Sequence, residues 1–132
     1  MKTSFFLLAT IFLGLNGYAQ MKVFQAPAYA DTIHNPLKGV AASAAGGQTT
    51  YKTFCAPCHG AKGKGDGVAA AGLPKAPADH TSAMIQKQSD GALFWMINTG
   101  NTPMPSYKGA LTETQIWQLV TYIRTLAKPI KN

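Results

Sequence analysis

The segment Cys55-Ala56-Pro57-Cys58-His59 constrains this chain more than any other part of its sequence. It holds the only two cysteines of the chain, which are too few for a disulfide-linked scaffold. Two residues separate the thiols, and the histidine follows at once. The five positions therefore form a C-x-x-C-H motif, the attachment signature of c-type haem.

The spacing has a chemical reason. Two thiols three positions apart, at the end of a helical turn, can each add to one vinyl group of the haem. His59 is then held under the iron and offers its Nε2 as an axial ligand. The motif thus predicts Cys55, Cys58 and His59 as the residues that bind one covalent haem c, with its iron on His59.

Parts of the motif also suit two other kinds of site. A catalytic disulfide of the thioredoxin-like kind would suit the proline between the cysteines, but that fold needs alternating strands and helices. A zinc site needs four ligands, and this cluster supplies at most three. An exported thiol–disulfide oxidoreductase that uses Cys55 and Cys58 stays open as the alternative function, together with a five-coordinate haem catalyst.

A second axial ligand is predicted at Met104, which stands between Pro103 and Pro105. Neither proline donates a backbone hydrogen bond, so an extended loop is favoured there. A thioether on the iron favours the ferrous state. Met96 lies in an apolar helical stretch and is expected in the core, while His34 and His80 are expected to be exposed rather than ligating.

The first 19 residues have the features of a signal peptide. Lys2 precedes the apolar stretch 5–15, and Gly17 and Ala19 are small residues at the positions that a signal peptidase reads. This stretch of 11 residues, almost wholly apolar, is well short of the roughly 20 apolar residues that span a bilayer. We therefore predict cleavage after Ala19, export, a periplasmic location and no stable membrane insertion afterwards.

The predicted organisation beyond the signal peptide is an extended arm and linker over 20–45 and a domain over 46–132. Residues 41–47, with the sequence AASAAGG, have the composition of a flexible joint. A short helix is expected from Thr49 or Thr50 to Cys55, then a glycine-rich loop over 60–80. A further helix is predicted from Gly91 to Asn98.

The last helix is predicted to begin at a capping box formed by Thr112 and Gln115, and its apolar residues follow a 3.6-residue period. No stretch alternates as a strand does. The domain is therefore expected to be small, helical and loop-rich.

Twelve basic against five acidic residues give a net charge of +7. Nucleic acid is disfavoured as a partner by the export signal and the absence of a binding motif. Five lysines flank the attachment motif or follow Met104 in sequence: Lys52, Lys62, Lys64, Lys75 and Lys108. They either steer the protein toward an acidic partner or only keep it soluble.

Taken together, these motifs resemble class I cytochromes c, and most closely the small monohaem bacterial forms. The resemblance covers residues 46–127. It rests on the spacing from Gly47 through Tyr51 to the C-x-x-C-H motif, on the Gly63–Gly67 segment, on the Met-Pro loop and on the terminal Trp-x4-Tyr-Ile-Arg helix. The arm over 20–45 is not part of the general pattern.

The resemblance implies an all-α fold of three to four helices and long loops around one covalently bound haem. In this fold the first and last helices cross, with Gly47 allowing close approach of Leu119 and Tyr122. It also implies that a proline carbonyl, from Pro74 or Pro77, accepts a hydrogen bond from His59 Nδ1. The implied function is a monomeric periplasmic electron carrier, not an enzyme. Its partners would be redox proteins such as a quinol-oxidising complex, a terminal oxidase or a reductase.

Overall fold

A computed structural model describes residues 24–127. The predicted signal peptide, and the cleavage site after Ala19, lie outside this range. Within it, the secondary structure is helical, with two isolated β-bridges and no strand. Five α-helices lie between residues 24 and 127: α1 (Ala41–Phe54), α2 (Ala56–His59), α3 (Ala83–Gln86), α4 (Asp90–Thr99) and α5 (Glu113–Leu126). The predicted all-α fold is confirmed. The number of helices exceeds the expected three to four because α2 and α3 are single turns of four residues each.

The C-terminal helix α5 begins as its sequence predicts. The Thr112 hydroxyl accepts a hydrogen bond from the backbone N–H of Gln115, and the Gln115 side chain bonds the backbone N–H of Thr112. These two bonds complete the capping box. The apolar face of α5 is buried, and Leu119 and Val120 are fully inaccessible to solvent. Helix α5 therefore supplies much of the hydrophobic core.

Helices α1 and α5 form the most extensive contact between elements. A Cβ atom at Gly47 would collide with the backbone carbonyl of Gln118 and lie 2.8 Å from Tyr122 Cβ. Only glycine therefore allows the two backbones to approach this closely. The expected crossing of the two helices is confirmed, and Tyr122 is one of the residues that Gly47 approaches closely, as predicted. The other is Gln118, where Leu119 was expected.

The start of α1 differs from the sequence-based expectation. Residues 41–47 are not a flexible joint, because they form the first half of α1, and the boundary expected between 45 and 46 falls inside the helix. No side chain caps this end at Val40. Packing against α5, rather than local capping, stabilises the segment as a helix.

The segment 24–40 is packed on the domain and does not extend away from it. It contains a 3₁₀ helix, Ala28–Thr32, that lies against α4, with Ala30 fully buried. Trp95 Nε1 donates a hydrogen bond of 2.8 Å to the Tyr29 hydroxyl, and the Phe24 and Trp95 rings lie 5.7 Å apart. The part of the predicted arm that the structure describes is therefore a strap over α4.

Asp90 connects this strap to α5. Its carboxylate accepts hydrogen bonds from Asn35 Nδ2 at 2.9 Å and from Arg124 Nε at 2.8 Å. Burial alone would raise the pKa of Asp90, but the bonds from Asn35 and Arg124 hold the pKa below its usual value. The Arg124 guanidinium also donates to the backbone carbonyl of Gln86, the last residue of α3, and to that of Gln88, two residues later. The ion pair of Asp90 and Arg124 therefore connects the strap, the region of α3 and helix α5.

Helix α4 begins at a cap formed by Ser89, whose hydroxyl accepts a hydrogen bond from Ala92 N at 3.0 Å, and it ends before Gly100. The observed span exceeds the predicted 91–98 by one residue at each end. Of the helices between residues 24 and 127, none combines the length and the hydrophobicity needed to span a membrane.

Gly91→Ala is expected to loosen the strap. A Cβ at this position would collide with the Ala30 carbonyl and lie 2.6 Å from the Ile33 carbonyl, both of which are backbone atoms. Forced contacts of this kind cost about 1–3 kcal/mol of stability. Thermal unfolding and limited proteolysis of the strap measure the effect. Gly72→Ala is the matched control, because nothing lies within 4 Å of a Cβ there. Equal stability of the two variants would contradict the packed strap.

Candidate functional site

The C-x-x-C-H motif lies at the junction of α1 and α2. Cys55 ends α1 and also precedes α2, and its carbonyl accepts hydrogen bonds from Cys58 N at 3.2 Å and His59 N at 2.8 Å. These bonds close a compact turn that holds both cysteines beside the histidine. Cys55 is buried, Cys58 is half-buried, and no disulfide joins them. The three side chains predicted from sequence are thus brought together.

His59 is buried, and its ring is fixed at Nδ1. Nδ1 lies 2.9 Å from the Ala78 carbonyl oxygen. Because a carbonyl only accepts, Nδ1 carries the proton and donates it. Burial lowers the pKa of His59, so the ring is neutral near pH 7. A neutral imidazole protonated at Nδ1 has its lone pair on Nε2, which is the form that ligates a metal.

The acceptor of this bond corrects the sequence-based expectation. The resemblance implied a carbonyl of Pro74 or Pro77, but the structure uses the carbonyl of Ala78, the residue after Pro77. Any residue supplies a backbone carbonyl, so residue type does not mark the acceptor. Its position depends instead on the path of the loop, which side-chain chemistry does not reveal.

The glycine-rich loop winds closely around the motif. Gly65 N donates to the His59 carbonyl at 2.8 Å, Gly67 N to the Cys58 carbonyl at 3.1 Å and Ala69 N to the Pro57 carbonyl at 2.9 Å. These bonds satisfy carbonyls that the short helix α2 leaves without partners. The same winding brings residues 78–80 back to His59. The loop therefore holds His59 and its surroundings in place.

His80 is buried, so the expectation of an exposed side chain was wrong. Its ring stacks on that of His59, with centroids 4.0 Å apart and planes 19° apart. Its Nδ1 lies 3.0 Å from the Tyr51 hydroxyl. Burial, with a smaller contribution from His59, lowers the pKa of His80 to about 3. His34, by contrast, is exposed as expected.

Met104 lies in the loop that follows α4. It pairs with Asn101 through two backbone hydrogen bonds of 2.9 Å each, and its side chain packs against the core cluster that also contains Cys55. Met96 lies within α4 and is 8% exposed, so its predicted place in the core is confirmed. Met84 is exposed on α3. Only Met104 of these three combines a loop position with partial burial against the cluster.

Tyr107 ties the methionine loop to the attachment motif. Its hydroxyl donates a hydrogen bond of 2.9 Å to the carbonyl of Phe54, the residue directly before Cys55. Its backbone N–H bonds the Ile97 carbonyl on α4. Burial, and then the nearby cysteines, raise the pKa of Tyr107 to about 12. Tyr107 therefore stays neutral and keeps its proton for this bond.

The raised pKa of Cys55 does not favour a catalytic disulfide. Burial, followed by the proximity of Cys58, raises the pKa of Cys55 to about 12. Thiol–disulfide oxidoreductases need a thiol with a lowered pKa, because the thiolate is the nucleophile. Cys55 thus lacks the ionisation that such a reaction requires.

Two of the predicted lysines share a surface beside α2. Lys52 and Lys62 line a shallow cavity of about 550 Å³, together with Pro57, Gly60 and the exposed side chain of Val68. Lys64 is engaged elsewhere, since it pairs with the Asp79 carboxylate at 3.7 Å and bonds the Thr81 hydroxyl. We name the surface formed by Lys52, Lys62 and Val68 the lysine face.

Comparison with known proteins supplies relatives for this arrangement. The family model for cytochrome c oxidase, cbb3-type, subunit III matches residues 42–123. That range contains the whole C-x-x-C-H motif and Met104. No match was found among the curated proteins.

Two similar solved structures share the fold. One is a chain of the Kuenenia stuttgartiensis reducing HAO-like protein complex Kustc0457/Kustc0458, with 28% identity and a TM-score of 0.64 over 73% of this chain and 50% of that chain. The present chain therefore matches half the length of that relative. The other is the KustC0563 c-type cytochrome, with 30% identity and a TM-score of 0.54 over 62% of this chain and 98% of that one.

Proposed function

Because the chain belongs to the family of cytochrome c oxidase, cbb3-type, subunit III, and is a small c-type cytochrome with a covalent haem c, we propose that it is a periplasmic electron carrier whose haem iron is ligated by His59 and Met104. The haem supplies reversible one-electron iron chemistry when bound. The electrons would pass between redox proteins, such as a quinol-oxidising complex and a terminal oxidase or reductase.

The fixed tautomer of His59 is the observation that carries this proposal. Its Nδ1 is committed to the Ala78 carbonyl, so Nε2 is the nitrogen left with a lone pair for iron. The two cysteines beside it fit two thioether bonds to the haem, because they are not joined in a disulfide. A donor hydrogen bond at Nδ1 also makes the imidazole a better ligand. The residues present therefore fit a haem c.

The methionine loop supports the second ligand. Tyr107 bonds the residue directly before Cys55, so the loop that carries Met104 is anchored at the attachment motif. With both axial positions taken, a substrate such as oxygen, peroxide or nitrite would have to displace Met104. A site closed in this way suits electron transfer rather than catalysis.

The absorption spectrum of the purified protein tests the proposal. Sharp low-spin c-type bands, with a methionine-to-ferric-iron charge-transfer band, are expected. A high-spin spectrum would favour the five-coordinate haem catalyst, and a haem-free protein with a reducible disulfide would favour the thiol oxidoreductase. The similarity to a chain of a reducing HAO-like complex makes the haem catalyst the alternative to test first.

Export is part of the proposal and has its own check. The sequence 1–19 predicts a cleaved signal peptide, and haem c attachment to Cys55 and Cys58 would follow export. N-terminal sequencing of the mature holoprotein should begin at Gln20. A mature protein that keeps residues 1–19 would contradict the predicted cleavage.

Charge reversal on the lysine face is expected to slow electron transfer to an acidic partner at low salt. Lys52 and Lys62 are exposed beside α2, and charged surfaces steer association most strongly when screening is weak. The Debye length falls from about 30 Å at 0.01 M to about 10 Å at 0.1 M ionic strength, so rates of wild type should also fall with salt. Stopped-flow oxidation of the reduced Lys52→Glu plus Lys62→Glu variant by such a partner measures this.

Lys38→Glu plus Lys87→Glu is the matched control, since it changes net charge equally at exposed residues outside the lysine face. Lys64 is left intact because its reversal would also break the pair with Asp79. Equal rates for both double variants at every salt concentration would leave the lysine face as a solubilising surface only.

A further inference from the structure

His80 has no part in the carrier function as proposed, yet it is the side chain stacked on the axial histidine. The two rings are nearly parallel, with planes 19° apart and centroids 4.0 Å apart. This separation brings the flat faces into van der Waals contact. A side chain that only filled space here would not need a flat face.

His80 is itself held rigidly. Its Nδ1 lies 3.0 Å from the hydroxyl of Tyr51, a fully buried residue whose ring meets the His80 ring edge-on at 5.7 Å. Its backbone N–H donates to the Gly63 carbonyl at 2.6 Å, and its carbonyl accepts from Gln86 Nε2 at 2.7 Å. The His80 ring is therefore held in a fixed position against the face of the His59 ring.

The two contacts of His59 restrain different motions. The hydrogen bond from Nδ1 to the Ala78 carbonyl fixes the position of one ring atom. It leaves freedom for the imidazole to tilt and swing about that atom. The flat His80 ring, packed along one face of His59, blocks this rotation because the two rings would collide. The hydrogen bond and the stacked His80 ring together define the plane of the His59 imidazole.

We propose that His80 is a positioning residue that sets the plane of the His59 imidazole. The proposal rests on the proposed function only in taking His59 as the iron ligand. The orientation of an axial imidazole relative to the porphyrin nitrogens governs how the d orbitals of low-spin ferric iron split. Outer contacts of a ligand histidine are thus a means by which a protein tunes the metal. In this chain the segment 78–80 supplies both the carbonyl that accepts the hydrogen bond and the ring that stacks on His59.

Two substitutions separate the flat face from the other roles of His80. His80→Phe and His80→Leu are both apolar and both lose the bond to Tyr51, but only phenylalanine keeps a flat ring against His59. The readouts are the g-values of the ferric holoprotein by electron paramagnetic resonance and the spread of its haem-methyl proton resonances. The control is His34→Ala, a change at an exposed histidine. It shows how much the g-values and the methyl spread vary when the surroundings of His59 are left unchanged.

His80→Phe is expected to keep g-values and methyl spread close to those of wild type. His80→Leu is expected to shift both beyond the scatter of the His34→Ala control, while its methionine charge-transfer band stays intact. If His80→Leu yields no holoprotein, His80→Met takes its place, since it too is apolar and lacks a flat face. Equal spectra for wild type and both variants, or equal shifts in both, would overturn the proposal.

Failure of this proposal is distinguishable from failure of the carrier function. A wild-type protein with a high-spin spectrum would contradict Met104 ligation and the carrier function. The orientation of His59 would still be readable from its hyperfine-shifted ring protons in the same two variants. A low-spin, methionine-ligated wild type with unchanged variants would overturn the role of His80 alone.

Discussion

Replacing Met104 with histidine is expected to keep the haem low-spin and to lower its reduction potential, because imidazole stabilises ferrous iron less than a thioether does. Met104→Ala is expected to open the site to exogenous imidazole or cyanide. The loop should survive either change, since its backbone bonds to Asn101 and the bond from Tyr107 to Phe54 do not involve the Met104 side chain. Potentiometry and absorption spectroscopy measure both effects.

Met96 provides the control for this prediction. It is buried in α4, where Met96→Leu conserves volume and should cost less than about 1.5 kcal/mol of stability while the charge-transfer band is retained. If Met96→Leu abolishes that band and Met104→Ala keeps it, the ligand is wrongly assigned. The two prolines beside Met104 support the assignment, because a stiffened loop loses less entropy when its sulfur is held on iron.

Removing both thiols is expected to have a comparably large effect on the fold. Cys55→Ala plus Cys58→Ala should give a poorly ordered, protease-sensitive chain without covalent haem. The reason lies in the loop over 60–80, which buries no large apolar side chain. Its only large buried side chain is that of His80. Haem would supply the apolar contacts that this loop cannot make by itself.

Circular dichroism and thermal melting of the double variant measure this coupling. The pair α1 and α5 has its own core, so residual helical signal is expected without a sharp transition. Cys58→Ala alone serves as a control, since one thioether and the His59 ligand remain possible. A double variant with normal helical signal and sharp cooperative melting would contradict the coupling of haem binding to folding.

The sequence revealed the features that depend on local chemistry. The capping box at Thr112 and Gln115 is satisfied by residues three positions apart, so its sequence is sufficient to place the start of α5. The cap at Ser89 and the end of α4 at Gly100 are local in the same sense. The C-x-x-C-H motif likewise brings its three side chains together within one turn.

What the sequence did not reveal depends on contacts between distant segments. The small residues over 41–47 have the composition of a linker, and they are helical because Gly47 meets α5. The strap was missed for the same reason, since the pairing of Tyr29 with Trp95 has no local signature. Its aromatic residues, Phe24 and Tyr29, are the signal that a packed segment rather than a linker was present.

The residues around His59 were the hardest to foresee. The Ala78 acceptor acts through its backbone, and His80 and Tyr51 meet across 29 positions of sequence. A histidine in a polar loop is usually exposed, and only the winding of the glycine-rich loop buries this one. Tyr107 is similar, because its partner Phe54 lies 53 positions away.

Ligation of the haem iron by both His59 and Met104, on which the carrier function depends, is tested by a spectroelectrochemical titration of the holoprotein. We expect a single one-electron transition, with low-spin c-type bands in both the oxidised and the reduced state and no change on adding carbon monoxide to the reduced protein. Prompt binding of carbon monoxide, or a high-spin spectrum in either state, would show an open coordination position and contradict an electron carrier ligated by His59 and Met104.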